Sequence, residues 1–181
     1  MTAPTLTHPP ELLLAAQGVR VAFFDVDGVL TDGGVYFSAE GETLKRFNIL
    51  DGLGLKLLQR AGITPAVITG RDSEPLRHRL QALGVVHAHY GTEKKVAAAE
   101  QTLAALGLDW TQAAAIGDDW PDLPVLRRCA FSAAPPNAHI EVRNAVRHVT
   151  QAAGGHGAAR EFCDVLLLAS GRYASLLEAY A

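Results

Sequence analysis

Val19-Arg20-Val21-Ala22-Phe23-Phe24-Asp25-Val26-Asp27-Gly28-Val29-Leu30-Thr31-Asp32 is the stretch on which the fold turns. A short β-rich apolar run ends abruptly in two aspartates two positions apart, and Gly28 then permits a sharp turn. If the extended conformation persists past Phe24, Asp25 and Asp27 project to the same side. Two such neighbouring carboxylates repel each other unless a cation compensates them.

Working outward, apolar runs alternate with helical patterns almost to the C-terminus. Strands are expected at Thr64 to Ile68, Val85 to Tyr90, Ala113 to Ile116, Cys129 to Ala133 and, more weakly, around His148-Val149. Helices are expected at Leu53 to Arg60, Glu74 to Leu83, Lys94 to Leu106, Leu123 to Arg128, Ala138 to Val146 (with Asn137 as its N-cap) and from Glu161 to Ser170. The alternation predicts an α/β fold: a doubly wound, Rossmannoid, mainly parallel sheet with helices on both faces. One segment interrupts it. Val35-Tyr36-Phe37, a turn at Ala39-Glu40-Gly41, and Thr43 to Phe47 read as a β-hairpin within residues 34–48, inserted after the first strand.

The chain has 181 residues, 49% hydrophobic and 19% charged, which suits one folded domain over 19–170. Residues 1–18 read as a tail with a short helix, and 171–181 as a C-terminal tail whose Ser175 to Tyr180 segment is helical. A formal net charge of −3 lacks the basic footprint of a nucleic-acid binder. No apolar run approaches the roughly 18 residues of a membrane span, and no basic residue precedes Leu12-Leu13-Leu14 as in a signal peptide. Cys129 and Cys163 read as reduced packing residues of a cytoplasmic protein.

Ligands of open α/β sheets bind outside the carboxyl ends of the strands. Three later strand ends carry chemistry: Thr69-Gly70-Arg71, Lys94-Lys95 after Tyr90-Gly91, and Gly117-Asp118-Asp119 followed by Asp122. A carboxylate pair, a hydroxyl, a lysine and a carboxylate cluster at one edge suit a magnesium ion, a phosphoryl dianion and a carboxylate nucleophile.

In this order, these pieces resemble the four motifs of the haloacid dehalogenase superfamily of phosphotransferases. Over nearly the whole chain, the stretches Asp25 to Asp32, Glu42 to Lys45, Phe47-Asn48, Asp51-Gly52, Ile68 to Arg71 and Ala153 to Gly155 are similar to a capless family within it. So are Gly157-Ala158, Arg160-Glu161 and Cys163-Asp164. That family is the 3-deoxy-D-manno-octulosonate 8-phosphate (KDO 8-phosphate) phosphatases, which serve lipopolysaccharide biosynthesis.

The resemblance implies Asp25 as nucleophile forming an aspartyl-phosphate and Asp27 as acid and then base. It implies Mg2+ on Asp25, the Asp27 carbonyl and Asp118, with Asp119 and Asp122 behind the ligands. Thr69 and the amides of Asp27 and Gly70 would hold the phosphoryl group. Lys95 would neutralise charge near Asp25; Lys94 beside it is the competing choice, set aside by aligning Gly91 with the corresponding family glycine. Asn48, Asp51, Gly52, Lys56, Gly70, Arg71 and Arg79 match positions that line the sugar-acid site, with Lys56 where arginine is common. The substrate would be a small anionic sugar phosphate.

Many superfamily members carry a cap domain between these motifs. Here neither Asp32 to Ile68 nor Arg71 to Lys94 leaves the roughly 40 residues an independent unit needs beyond its own hairpin, helix or strand. The resemblance implies that neighbouring subunits close the site instead, in a homotetramer built through Val35, Phe37, Leu44 and Phe47, with the tail from Gly171 as a further contributor. The competing readings are a phosphatase of a nine-carbon acidic sugar, a non-catalytic tetramerising module, and an open protein phosphatase. Gly52-Leu53-Gly54 lacks the third glycine of a dinucleotide loop. Gly154-Gly155-His156-Gly157 reads equally as an anion cradle or a glycine-rich turn. His87 and His89 share a strand face without an evident partner ligand.

Overall fold

The computed structural model describes residues 5–180. In chain order the elements are α1 (Pro10–Ala16), β1 (Val21–Phe24), β2 (Tyr36–Ser38), β3 (Gly41–Leu44), α2 (Ile49–Arg60), β4 (Thr64–Ile68), α3 (Glu74–Leu83), β5 (His87–His89), α4 (Lys95–Leu106), β6 (Ala113–Ile116), α5 (Leu123–Leu126), β7 (Phe131–Ala134), α6 (Ile140–Ala145), β8 (His148–Val149), α7 (Ala158–Ala169) and α8 (Tyr173–Glu178). Six strands form one sheet in the order β5-β4-β1-β6-β7-β8. Every neighbouring pair in it is parallel.

Side-chain alternation along the strands explains the two helical layers. In β1, Ala22 and Phe24 face a core shared with Leu55, Leu58, Leu76, Leu80, Phe162 and Leu166. Val21 and Phe23 face the other core, with Ala99, Leu103, Val125 and Val142. The small Ala113-Ala114-Ala115 run of β6 lets helices approach the sheet centre on both sides. β1 therefore lies buried in the middle, and its carboxyl end is fixed from both faces.

Several boundaries shift from the sequence reading. α2 starts at Ile49 rather than Leu53, because Asn48 caps it by accepting a hydrogen bond from the Leu50 amide. Its first two turns hold Asp51, Gly52 and Gly54, a polar and glycine-rich opening that conceals helical periodicity. α7 starts three residues earlier than expected, directly after Gly157, whose φ is +114°. α6 is shorter than expected, and its N-cap is His139, which accepts from the Glu141 amide. Asn137 does not cap it: its amide nitrogen donates to the Gly28 carbonyl and its oxygen accepts from Gly154 N–H.

The hairpin β2–β3 forms as expected, as a separate two-stranded antiparallel sheet. Val35, Tyr36, Phe37 and Leu44 are exposed. Phe47 differs: it packs against the main core, with the Arg79 guanidinium 5.8 Å from its ring centre. α1 and α8 fold back on the core through Leu12, Leu13, Tyr173 and Leu176, and Arg60 donates to the Tyr180 hydroxyl at 2.8 Å. The outermost parts of both expected tails, 1–4 and 181, lie outside the described residues. Both cysteines are free and buried; burial pushes the Cys129 thiol up to about 12 and Cys163 well above its ordinary value. Among the described residues, no helix is long and apolar enough to cross a membrane.

Candidate active site

The carboxyl ends of β1, β4 and β6 meet the start of α4 around a cleft of about 270 Å³. Asp25 extends β1 by one residue, its N–H donating to the Ile116 carbonyl at 3.1 Å. The Val26 carbonyl then accepts from the amides of Val29 (3.3 Å) and Thr31 (3.0 Å), which folds the loop over. Gly28 sits at φ +93°, and a Cβ there would lie 2.0 Å from Asp118 Oδ2. Only glycine lets the β6 carboxylate approach this loop.

Lys95 enters from the first turn of α4 and is almost fully buried. Its ammonium donates to Asp25 Oδ1 at 2.7 Å and to Asp122 Oδ1 at 2.6 Å. Lys94 is exposed at the helix N-cap, so the geometry separates the two lysines. Asp122 Oδ2 accepts from the amides of Asp118 (3.0 Å) and Asp119 (3.2 Å). Both Asp122 oxygens are thus engaged in holding the loop. Asp119 is exposed, and its Oδ1 accepts from the Trp120 amide.

Oxygens of Asp25, Asp118 and Asp122 lie within 4.8 Å of one another. Burial, followed by the Asp122 charge, raises the Asp25 pKa to about 7 against the opposing pull of Lys95. Burial, followed by the charges of Asp25, Asp122 and Asp119, raises Asp118 to about 8. Burial opposes the Lys95 charge, yet Asp25 and Asp122 outweigh it and hold its pKa above the ordinary value. One ammonium against three carboxylates leaves negative charge to be neutralised, and oxygen donors of this kind fit a hard divalent cation. Among the described residues, no donor reaches the Asp118 carboxylate or the Asp27 carbonyl.

The opposite wall carries donors. Thr69 is buried, and its hydroxyl accepts from the Arg71 amide at 3.2 Å. The amides of Asp27 and Gly70 meet no acceptor among the described residues. Unpaired amides beside a lysine and a threonine make an anion cradle. Arg71, Thr92, Glu93 and Pro121 complete the lining.

Asp25, Asp27, Thr69, Gly70, Arg71, Lys95, Asp118, Asp119 and Asp122 therefore share one cleft. Asn48, Asp51, Gly52, Lys56 and Arg79 are not among its lining residues. Asn48 donates to the Gly155 carbonyl at 3.3 Å while capping α2. Asp51 accepts from the Arg160 amide at 2.8 Å, anchoring the start of α7, and burial raises its pKa. Arg79 donates to the Asn48 carbonyl and lies over Gly52, where a Cβ would come within 2.3 Å of its Nη2. Lys56 is exposed on α2.

Three features escaped sequence reasoning. Lys45, at the end of the hairpin, donates to Asp27 Oδ1; only the resemblance of the Glu42 to Lys45 stretch pointed there, without a role. Asn137 ties Gly28 to Gly154. The Gly154-Gly155 turn packs so closely on the Asp25 loop that a Cβ on Gly154 would lie 1.8 Å from the Gly28 carbonyl oxygen. This turn is a clamp on the loop from Asp25 to Asp32; its closest atoms are backbone. His89 is hydrogen-bonded to the Thr102 hydroxyl at 2.8 Å, and among the described residues it belongs to no group of candidate metal ligands.

Residues 88–162 match the family described as haloacid dehalogenase-like hydrolase. The chain is 43% identical to the 3-deoxy-D-manno-octulosonate 8-phosphate phosphatase of Haemophilus influenzae, over 86% of this chain and 87% of that protein. The crystal structure of the Moraxella catarrhalis phosphatase of the same name, in complex with magnesium, phosphate and KDO, superimposes with a TM-score of 0.92. It is 34% identical, covering 96% of this chain and 100% of the other. The cobalt-bound form of the Haemophilus influenzae phosphatase matches with a TM-score of 0.86 at 42% identity, covering 88% and 94%.

Proposed function

The chain belongs to the 3-deoxy-D-manno-octulosonate 8-phosphate phosphatases of the haloacid dehalogenase-like hydrolases, and from that premise we propose that its cleft hydrolyses this sugar phosphate to KDO and phosphate. The observation that carries the reading is the meeting of Asp25, Lys95, Asp118, Thr69 and two unpaired backbone amides in one cleft. The reaction belongs to lipopolysaccharide precursor biosynthesis.

Asp25 attacks phosphorus, the bond to the sugar oxygen breaks, and an aspartyl-phosphate forms. An alkoxide is a poor leaving group, so Asp27 delivers a proton to it. Asp27 then takes a proton from the water that attacks the aspartyl-phosphate, which releases phosphate and restores Asp25. Thr69 and the amides of Asp27 and Gly70 orient the phosphoryl oxygens. Lys95 balances charge where it develops, in a buried setting that strengthens the effect. Asp25, Asp118 and the Asp27 carbonyl would hold Mg2+, with Asp122 fixing the Asp118 backbone and Asp119 beside it. When bound, the ion reduces repulsion between nucleophile and substrate.

Recognition of the sugar acid falls to Arg71, the guanidinium at the mouth of the cleft. Asn48, Asp51 and Arg79 are held in hydrogen bonds within the chain and, with Gly52 and Lys56, do not line this cleft; their part in sugar recognition is carried by the family resemblance alone. The exposed apolar Val35, Phe37 and Leu44 support a homotetramer assembled through the hairpin, in a cytoplasmic enzyme. Phe47 is spent on the core.

Phosphate release from KDO 8-phosphate, with and without Mg2+, tests the reading beside a nine-carbon acidic sugar phosphate and an aryl phosphate. Mg2+-dependent turnover preferring KDO 8-phosphate is expected, reduced at least about 10⁴-fold in Asp25→Asn. Turnover of the aryl phosphate alone would discard the substrate, and undiminished turnover in Asp25→Asn would discard the nucleophile.

A further inference from the structure

Residues 35–46 form a solvent-exposed hairpin with a single buried side chain, that of Lys45. This side chain is 1% exposed, and its ammonium lies between two carboxylates, Asp27 Oδ1 and Glu42 Oε1, the latter at 2.9 Å. Glu42 Oε2 in turn accepts from Arg71 Nη1 at 3.1 Å, and Arg71 Nε stands 4.0 Å from Asp27 Oδ2. Two anions and two cations thus alternate around a closed ring, Asp27–Lys45–Glu42–Arg71. A buried ammonium is tolerated only where its partners are fixed, because an unpaired charge there costs several kcal/mol. Asp27 is thus tied to a buried cation whose other partner is Glu42.

The ring treats the two Asp27 oxygens differently. Oδ1 is engaged by Lys45, whereas Oδ2 meets no hydrogen-bond donor among the described residues. Asp27 lines the cleft, so Oδ2 is the oxygen left for a proton in transit. A carboxylate on a turn has free rotation about its side-chain bonds unless something holds it, and a misplacement of about 1 Å can cost 100-fold in rate.

We propose that Lys45 is a positioning residue for the acid–base step: it pins one oxygen of Asp27 so that the other faces the departing sugar oxygen, with Glu42 holding Lys45 in place. The hairpin then contributes to its own subunit's chemistry as well as to assembly. This rests on the reading of Asp27 as the proton donor in phosphoryl transfer. As the Asp25–phosphorus bond forms and the phosphorus–sugar oxygen bond breaks, the proton leaves Asp27 Oδ2 for the alkoxide. In the second step the same oxygen takes a proton from water, so the group ends as it began.

The leaving group separates positioning from simple structural support. A sugar alkoxide needs the proton and a 4-nitrophenolate does not, so only transfer from the sugar phosphate depends on a correctly placed Asp27. The first-turnover rates of KDO and nitrophenolate release are measured in the Mg2+-loaded wild type, Lys45→Met, Glu42→Gln and Asp27→Asn. In Lys45→Met, transfer from KDO 8-phosphate is expected to fall about 100-fold, and transfer from 4-nitrophenyl phosphate by less than about 3-fold. Asp27→Asn is expected to show the same selectivity in larger measure, and Glu42→Gln a smaller, roughly 10-fold version.

Equal slowing of both transfers in Lys45→Met, or no slowing, would overturn the assignment while a selective Asp27→Asn leaves Asp27 as the donor. An unselective Asp27→Asn would overturn the reading of Asp27 and the inference with it. If Lys45→Met does not fold, Glu42→Gln decides, since it keeps the volume and removes the charge that holds Lys45; lack of selectivity there would overturn the proposal.

Discussion

At the carboxyl end of the sheet, charged side chains are buried; on the hairpin 10 to 19 residues after Asp25, apolar side chains are exposed. Asp25, Lys95 and Asp122 are at most 9% accessible, whereas Phe37 is 68% and Leu44 55% accessible. Each region inverts the ordinary rule that charges lie outside and large apolar groups inside. At the sheet end, the cost of burying charge is offset by pairing, by backbone amides and by a cation the carboxylates are shaped to hold. On the hairpin no such compensation is found among the described residues, and exposed apolar side chains of this size form the kind of patch that another molecule can cover. Lys45 belongs to both regions: it leaves the exposed hairpin to enter the charged site. The two regions thus differ in which kind of group is out of place.

Removing Lys95 should break the contrast most severely. Lys95→Met leaves Asp25, Asp122 and Asp118 buried without a protein cation. Metal-free protein should lose about 3–5 kcal/mol in urea unfolding, and turnover should fall by roughly 100- to 1000-fold. A variant as stable as wild type would mean that the carboxylates were never a stored electrostatic cost.

The pH dependence of the metal-free protein should sharpen the same point. The Asp25 and Asp118 carboxyls are raised to about 7 and about 8 in the folded chain, against about 3.9 unfolded. Between those limits the folded state holds protons that the unfolded state has released, so stability falls as pH rises. With chelator present, Tm should drop by a few degrees per pH unit from about pH 5 to 8 and level off beyond. Mg2+ should raise Tm more at pH 8 than at pH 5, because it replaces protons that are already leaving. Calorimetry over that range is sufficient, and a Tm rising with pH in chelator would contradict the assignment.

The hairpin should behave in the opposite way. Val35→Ser, Phe37→Ser and Leu44→Ser together touch no core, so each protomer's unfolding free energy should change by no more than about 0.5 kcal/mol per site. Sedimentation should show dissociation to smaller species. A protein that keeps its size with all three changes would assign the oligomer to another surface.

Much of the site was legible because it depends on short-range order. A strand that ends in Asp25-Val26-Asp27-Gly28 places its carboxylates at the sheet edge whatever the rest of the chain does. Thr69 and Asp118 follow from the same logic, since parallel strands in one sheet deliver their carboxyl ends to one side. The choice of Lys95 over Lys94 had to be made by alignment; in the fold it follows from one lysine lying in the first turn of α4 and the other at its exposed cap.

The strand–helix alternation, the motif residues at successive strand ends and the existence of the hairpin were legible in the sequence, because each depends on neighbours along the chain; that Val35, Phe37 and Leu44 stay exposed while Phe47 joins the core was not. Only the assembled fold brings Lys45 to Asp27, makes Asn137 bridge Gly28 and Gly154 instead of capping a helix, and lets Asp51 anchor α7 from 109 positions away. Those choices depend on hydrogen bonds between segments that meet only after the sheet is assembled. Their geometry is fixed by close backbone approach at Gly28 and Gly154, and no local periodicity encodes it.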